Sequence, residues 1–359
     1  MAWLTGWRRR KKITVPAGTV AELLSYFPMR YSVVNDADMG AHAQADGYDM
    51  RFTKSDGESP AAYGREAWAI AGGLANGEFH LQTTSLSAVA DNVFYVYYDP
   101  LTPSGDSSDF ATMLTSANYV FFNIGTVADK TGIHTLTDNG TGDVAGKIDR
   151  GRDFEATESD YIGCGYNAAT DFKGAGQSFT VSAWAKPESV TQGTVVGRVQ
   201  LVSSVYNIQW YLLALTTNAT WGFYVLDTVT FQGAIAAANT QAVGGWCHIV
   251  GEADAGTLRI YHNGGASGST DTYGTLKDIG TTPVEMGVTT RTDSPVYFDG
   301  ILDQVTVRNV ASGAAWIAAE CANQSSPATF YTVGAEETEA SYPFAAPWAQ
   351  SPYALPFAA

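Results

Sequence analysis

Glu252 and Asp254 stand two residues apart, so on a strand their carboxylates share one face. Hydrolysis of a glycosidic bond uses two carboxyl groups about 5–5.5 Å apart for retention, or about 6.5–9.5 Å apart for inversion. A Glu-x-Asp-x-Glu run would supply them, and the chain has none. Asp254 directly precedes Ala255-Gly256, so a place in a hairpin is the stronger reading of this pair. The chain also has no Gly-x-Ser-x-Gly elbow, phosphate loop or His-Glu-x-x-His motif. His248, between Cys247 and Ile249, is expected in a core, and His262, beside Asn263 at a turn, on the surface. The expectation is a protein that is not an enzyme. The remaining candidates are aromatic: Trp184, Trp210, Tyr211, Trp221 and Tyr224 offer faces on which sugars stack. Strand alternation turns about half of such residues inward, and it does not say which half.

Composition narrows the partners. The 359 residues are 45% hydrophobic, enough for substantial cores, and carry a formal charge of −16. That charge opposes nucleic-acid binding, which needs Lys and Arg at the phosphates. The basic run Arg8-Arg-Arg-Lys-Lys12 is the local exception. An alternating strand would split its charges between two faces, which reads as a solvated edge strand or a subunit contact. Cys164, Cys247 and Cys321 make no disulfide framework or metal spacing, and are expected as buried thiols of a chain folded in a reducing compartment. Neither an export signal nor a membrane span is expected, because Ile13-Thr-Val-Pro-Ala-Gly-Thr19 follows the basic run and no stretch approaches about 18 apolar residues.

The elements that must position these groups are strands. The 37 Gly and 19 Tyr, with abundant Val and Thr, favour short strands joined by turns. The expected fold class is all-β, two sandwich or jelly-roll domains with an extended C-terminal arm. The first domain is placed at residues 1–105, the second at 106–334 and the arm at 335–359. Asn92 to Tyr98 reads as a strong strand, and Pro103-Ser-Gly-Asp-Ser-Ser108 as the linker. Short helices are expected over Asp109–Asn118 and Ser312–Ala322, the latter capped by Ser312. His262-Asn-Gly264 signals a hairpin. Residues 341–359 carry no charge, and proline recurs among aromatics. Phe344, Trp348, Tyr353, Leu355 and Phe357 are the anchors by which this arm would dock on a neighbouring subunit or on the chain's own sandwich.

Phe179-Thr-Val-Ser-Ala-Trp-Ala-Lys-Pro187, Trp246-Cys-His-Ile-Val250, Gly256-Thr-Leu-Arg-Ile-Tyr-His-Asn-Gly264 and Phe298-Asp-Gly-Ile-Leu-Asp-Gln-Val305 resemble successive strands of a laminin-G-like, concanavalin A-like domain. Arg150-Gly-Arg-Asp-Phe154 and Asp160-Tyr-Ile162 are similar to its early strands, so the resemblance spans about residues 117–332. Trp7 to Ile13, Ala45 to Thr53, Asp56-Gly57 and Val93 to Tyr98 resemble an uncharacterised prokaryotic β-sandwich domain that often precedes such modules. Laminarinase-type relatives hold a structural calcium, which takes six to eight oxygen ligands. The resemblance implies Asp303 as one ligand, with Asp129 or Asn123 opposite. The functional expectation is a structural protein of a bacteriophage particle, a capsid decoration, fibre or tail-associated subunit, localised to the virion. Its expected partners are other virion subunits, as a homo-oligomer or with capsid or tail proteins, and host glycans. The alternatives are a carbohydrate-binding module of a bacterial surface or secreted protein and, less favoured, a glycoside hydrolase.

Overall fold

The computed structural model describes residues 2–123, 125–190, 192–202, 205–228, 230–289 and 295–339, without the side chains of 200–202 and 205–207. Among these residues, strands form two sandwiches. In the first, a five-stranded sheet runs in the order Thr332–Thr338, Trp7–Val15, Asn92–Pro100, Arg51–Thr53, Pro60–Ala61. It faces a three-stranded sheet of Leu24–Asp36, Leu74–Leu86 and Tyr63–Ala71. Alternation explains the core between them. Ile13, Val15, Phe94 and Val96 point in from one sheet, and Phe27, Met29, Tyr31, Phe79 and Leu81 from the other.

The second sandwich packs a nine-stranded sheet on a seven-stranded one. The nine-stranded sheet centres on Gly300–Arg308, Phe179–Pro187 and Cys247–Asp254. The seven-stranded sheet runs Phe231–Ile235, Thr220–Leu226, Val205–Leu215, Gly193–Val202, Glu285–Met286, Tyr161–Gly163, Thr137–Asn139. Phe179, Val181, Ala183 and Ala185 enter the shared core beside Trp210, Trp221 and Phe223. The opposite face of the same strand is polar. Ser182 Oγ bonds Thr306 Oγ1 at 2.7 Å, and the Trp184 indole N–H donates to Gln324 Oε1 at 2.6 Å.

Among the described residues the α-helices are α1 (Ala37–His42), α2 (Phe110–Ser116), α3 (Ala314–Ser325) and α4 (Pro327–Phe330). α3 is a wedge between the sandwiches. Trp316 and Ala319 join the first core, whereas Ile317 packs on Val250 and Tyr261 of the nine-stranded sheet. Its N-cap is Gly313, not Ser312, whose hydroxyl instead accepts from Arg308 at 2.7 Å.

The domain boundaries differ from the sequence-based ones. α2, α3 and α4 contribute Met113, Leu114, Trp316 and Phe330 to the first core, so this unit draws on both ends of the chain. Thr332–Thr338 is a strand of the first sandwich, paired with Trp7–Val15, and not the start of a free arm. The 103–108 stretch is tied down. Ser104 N–H donates to Gln44 Oε1 at 2.7 Å, Arg65 pairs with Asp106 at 2.7 Å, and Arg65 N–H donates to Ser108 Oγ at 2.8 Å.

The basic run is likewise no edge. It lies between two strands, and four of its five cations are matched: Arg8 and Arg9 with Asp99, Arg9 with Glu336, Arg10 with Glu337, and Lys11 with Asp36 and Asp38. The arm anchors Phe344, Trp348, Tyr353, Leu355 and Phe357 lie outside the described residues. Among the described residues no helix is long and apolar enough to cross a membrane.

Candidate functional site

The five aromatic candidates separate cleanly. Trp210 and Trp221 are fully buried in the second core, their indole N–H groups bonded to Thr170 O and Thr240 O, both at 3.2 Å. Trp184 is buried on the outer face of the nine-stranded sheet against His248, with ring centroids 5.0 Å apart. None of the three indoles offers a face to a sugar, because packing has taken both faces and the polar handle.

Tyr211 and Tyr224 stand on the outer face of the seven-stranded sheet. They are direct cross-strand partners, stacked with centroids 5.6 Å apart and planes 26° from parallel. The next partners outward are Gly197 beside Tyr211 and Gly233 beside Tyr224. One row across four strands therefore reads Gly-Tyr-Tyr-Gly. A Cβ on Gly233 would come within 2.3 Å of the Tyr224 ring, and one on Gly222 within 2.4 Å. Only the absence of side chains there lets that ring lie flat on the sheet. Val199, Ile208, Leu213, Leu215 and Leu226 complete an apolar surround. Tyr224 is partly buried, and burial raises its phenol pKa, so it stays a neutral hydrogen-bonding group. The sequence reading picked out the tyrosines and missed the glycines; glycine inside a strand was the available signal.

The acid pair is structural. Glu252 is 2% exposed, and its Oε2 accepts from Gly313 N–H at 2.7 Å, which ties the start of α3 to the sheet. Its other oxygen faces Tyr261 Oη at 3.2 Å, while Asp254 turns to Arg259 at 3.0 Å. His248 is buried, as expected of a core histidine, and lies 3.6 Å from Glu320 of α3. Against its desolvation, hydrogen bonds that its protonated ring donates to Cys321 and Glu320 lift it to about 9. His262 is partly buried, not freely exposed, because its hairpin folds against α3, where Gly264 abuts Cys321.

The residues that the resemblance implies as calcium ligands each carry hydrogen bonds within the protein. Asp303 is fully buried and accepts from Ile148 N–H at 2.8 Å and Gln304 N–H at 2.6 Å. Burial and then the charge of Glu66 push its carboxyl well above the usual range. Asp129 organises its own turn, accepting from Phe122 and Thr131 N–H at 3.0 Å and His134 N–H at 2.9 Å. Against desolvation, His134, Thr131 and those amides hold its carboxyl below the usual range. Asn123 donates to Thr126 O and Ala128 O, and accepts from Gly125 N–H at 3.0 Å. Asp153, Glu155 and Glu188 bring carboxylate oxygens within 4.8 Å of one another.

Several solved structures show partial likeness to the chain. The binding domain of the Paraclostridial Mosquitocidal Protein 1 is 14% identical, with a TM-score of 0.44 over 57% of this chain and 52% of that one. The botulinum neurotoxin serotype D binding domain is 12% identical, with a TM-score of 0.45 over 58% and 51%. Domain 4 of an extracellular arabinanase from Geobacillus stearothermophilus, solved with arabinotriose, is 15% identical, with a TM-score of 0.40 over 55% and 98%. The chain thus spans about half the length of the toxin domains it matches. No curated protein sequence matches it. Residues 157–318, within the second sandwich, match the laminin-G-type family model of the concanavalin A-like lectin/glucanases superfamily, and the second sandwich is similar in fold to that superfamily.

Proposed function

We propose that the chain is a non-enzymatic adhesion subunit whose lectin-type domain binds oligosaccharide on the outer face of the seven-stranded sheet. The observation that carries this reading is the Gly-Tyr-Tyr-Gly row. It fixes two aromatic rings against backbone, ringed by aliphatic side chains, with Tyr211 buried beneath and Tyr224, partly buried, presenting its ring and phenol. A sugar presents an apolar C–H face and a rim of hydroxyls, which suits such a platform. Non-enzymatic action is supported by Glu252, whose carboxylate is committed to Gly313.

A glycan array, followed by titration calorimetry on the best ligand, tests the proposal. Tyr224→Ala is expected to weaken binding by about tenfold, the scale of one aromatic contact of roughly 1.4 kcal/mol. Binding unchanged by Tyr224→Ala, or an array without a ligand, overturns it.

The finer proposal places this subunit on a bacteriophage particle. Its support is three buried free thiols, which suit assembly in a reducing compartment, and the uncharged Pro-aromatic sequence of residues 341–359. Copurification with intact virions at fixed stoichiometry is the expected result; its absence from purified particles refutes the placement.

A further inference from the structure

The seam between α3 and the nine-stranded sheet holds a thiol, an imidazole and a carboxylate that the sugar platform leaves unused. Glu320 and Cys321 are neighbours on α3, and both meet His248 of Cys247–Asp254. His248 Nε2 lies 3.6 Å from Glu320 Oε2, and the protonated ring also donates to the Cys321 sulfur. The relay is braced from behind. Tyr119 Oη donates to Glu320 Oε1 at 3.1 Å, and the Trp184 ring lies against the imidazole with centroids 5.0 Å apart. Thiol, imidazole and carboxylate therefore stand in sequence, the order in which a proton-transferring ring serves a sulfur nucleophile.

The burial of the seam suits small reagents. His248 is 1% exposed, and Cys321 is 8% exposed against 0% for Cys164 and 1% for Cys247. The hairpin turn after Thr257–His262 closes one side. Its Gly264 sits at φ +81°, and a Cβ there would come within 3.0 Å of Cys321 Cβ and 3.5 Å of the sulfur. A residue with a side chain would cap the thiol. On the other side the exposed Ser325, one helical turn on, brings Oγ to 3.9 Å from the sulfur. Charge favours reaction as well. Against desolvation, the bonds to Cys321 and Glu320 lift His248 to about 9, so it is a cation at neutral pH. The thiolate is the nucleophilic form of cysteine, and a cation beside the sulfur stabilises it.

We propose that Cys321 is an oxidation site, where small hydroperoxides convert its sulfur to a sulfenic acid with His248 as the proton donor. The thiolate attacks the terminal peroxide oxygen, and the S–O bond forms as the O–O bond breaks. Sulfur gives up two electrons and the peroxide takes them. With hydrogen peroxide the departing hydroxide accepts the proton of His248 and leaves as water. Glu320 is a positioning residue, holding the imidazole toward the sulfur.

Hydrogen peroxide added to the full-length chain tests this, with dimedone trapping the sulfenic acid and peptide mass mapping reading all three cysteines. Trapping at Cys321 is expected to exceed that at Cys164 or Cys247 by about tenfold or more. Trapping at Cys321 no greater than at the other two overturns the site, and this comparison needs no variant. His248→Gln is expected to slow oxidation of Cys321 by about a hundredfold, the low end for a positioned proton donor. Alkylation of Cys321 by iodoacetamide should slow far less, because iodide leaves without a proton. Glu320→Gln should show the same split between the two reagents on a smaller scale. Equal slowing of both reactions in these variants would mean that only access to the sulfur had changed, and overturns the proposal.

Discussion

Glu66 and His80 form a buried acid–imidazole pair at the junction of the two sandwiches, and their proton should control how stability responds to alkali. Glu66 Oε2 lies 2.7 Å from His80 Nε2, with both side chains 2% exposed or less. Gln304, from the nine-stranded sheet, donates to Glu66 Oε1 at 3.1 Å. Glu78 and Arg30 face the pair from the three-stranded sheet, Asp149 and Asp303 from the second sandwich, and Glu320 from α3. Burial, then repulsion from Glu78, raises Glu66 well above its ordinary 4.5; burial, then Arg30, lowers His80 from 6.5 to about 4. The raised acid contributes stability below 4.5 that is lost as pH climbs through its folded value. The depressed imidazole contributes stability above 6.5 that is lost as pH falls through about 4. Between 4.5 and 6.5 the raised Glu66 and the lowered His80 act on stability with opposite slopes. Above 6.5 the unfolded pair holds no proton, so stability falls by about 1.4 kcal/mol per pH unit for as long as the folded Glu66 keeps its own. Glu66→Gln keeps a donor toward His80 and an acceptor for Gln304 but has no proton to lose. Urea unfolding at pH 6.5 and 8.5 should show the wild-type loss reduced by about one proton's slope in the variant. A flat wild-type profile, or the same slope in Glu66→Gln, refutes the assignment of that proton.

Other perturbations probe other parts of the structure. Trp316→Ala should cost about 3–5 kcal/mol in urea unfolding, because it empties a core site against Phe27 and leaves the buried Arg308 guanidinium, 3.8 Å from the ring, without its stack. Limited proteolysis should spare residues 103–108 in the wild type and cut there in Arg65→Ala, which loses the Asp106 pair; early wild-type cleavage would contradict the tethering. Glu252→Gln should lower stability by about 1 kcal/mol through a weaker bond to Gly313 and leave any glycan-degrading assay at background. A chelator should leave Tm unchanged if calcium depends on Asp303, Asp129 and Asn123, since their oxygens already serve amide donors; a chelator-induced drop that Asp303→Asn abolishes would reverse that conclusion.

The parts of the fold visible in the residues are those governed by local period. Phe179, Val181 and Ala183 alternate with Thr180, Ser182 and Trp184, and the strand buries the first set in the sandwich core. Period alone did not decide between Trp210 and Tyr211, neighbours that must face opposite ways. Register shifts at Thr194/Val196 and Arg198/Val199 reset the facing, and they arise from pairing across strands, not from either residue's type. Nor could period find the return of the chain, because Thr332–Thr338 is mostly exposed and shows no apolar alternation. What marks that strand is charge. Glu336 and Glu337 meet Arg9 and Arg10 more than three hundred residues away in sequence, and the same two glutamates make the basic run intelligible. A strand with five successive cations requires a partner strand bearing acids, or else it stays solvated. The negative excess of the chain made such a partner available without saying where it was. The pairing also explains why Arg8 to Lys11 are not free to bind a polyanion: at these contacts acidic side chains of the same sandwich already occupy their cations.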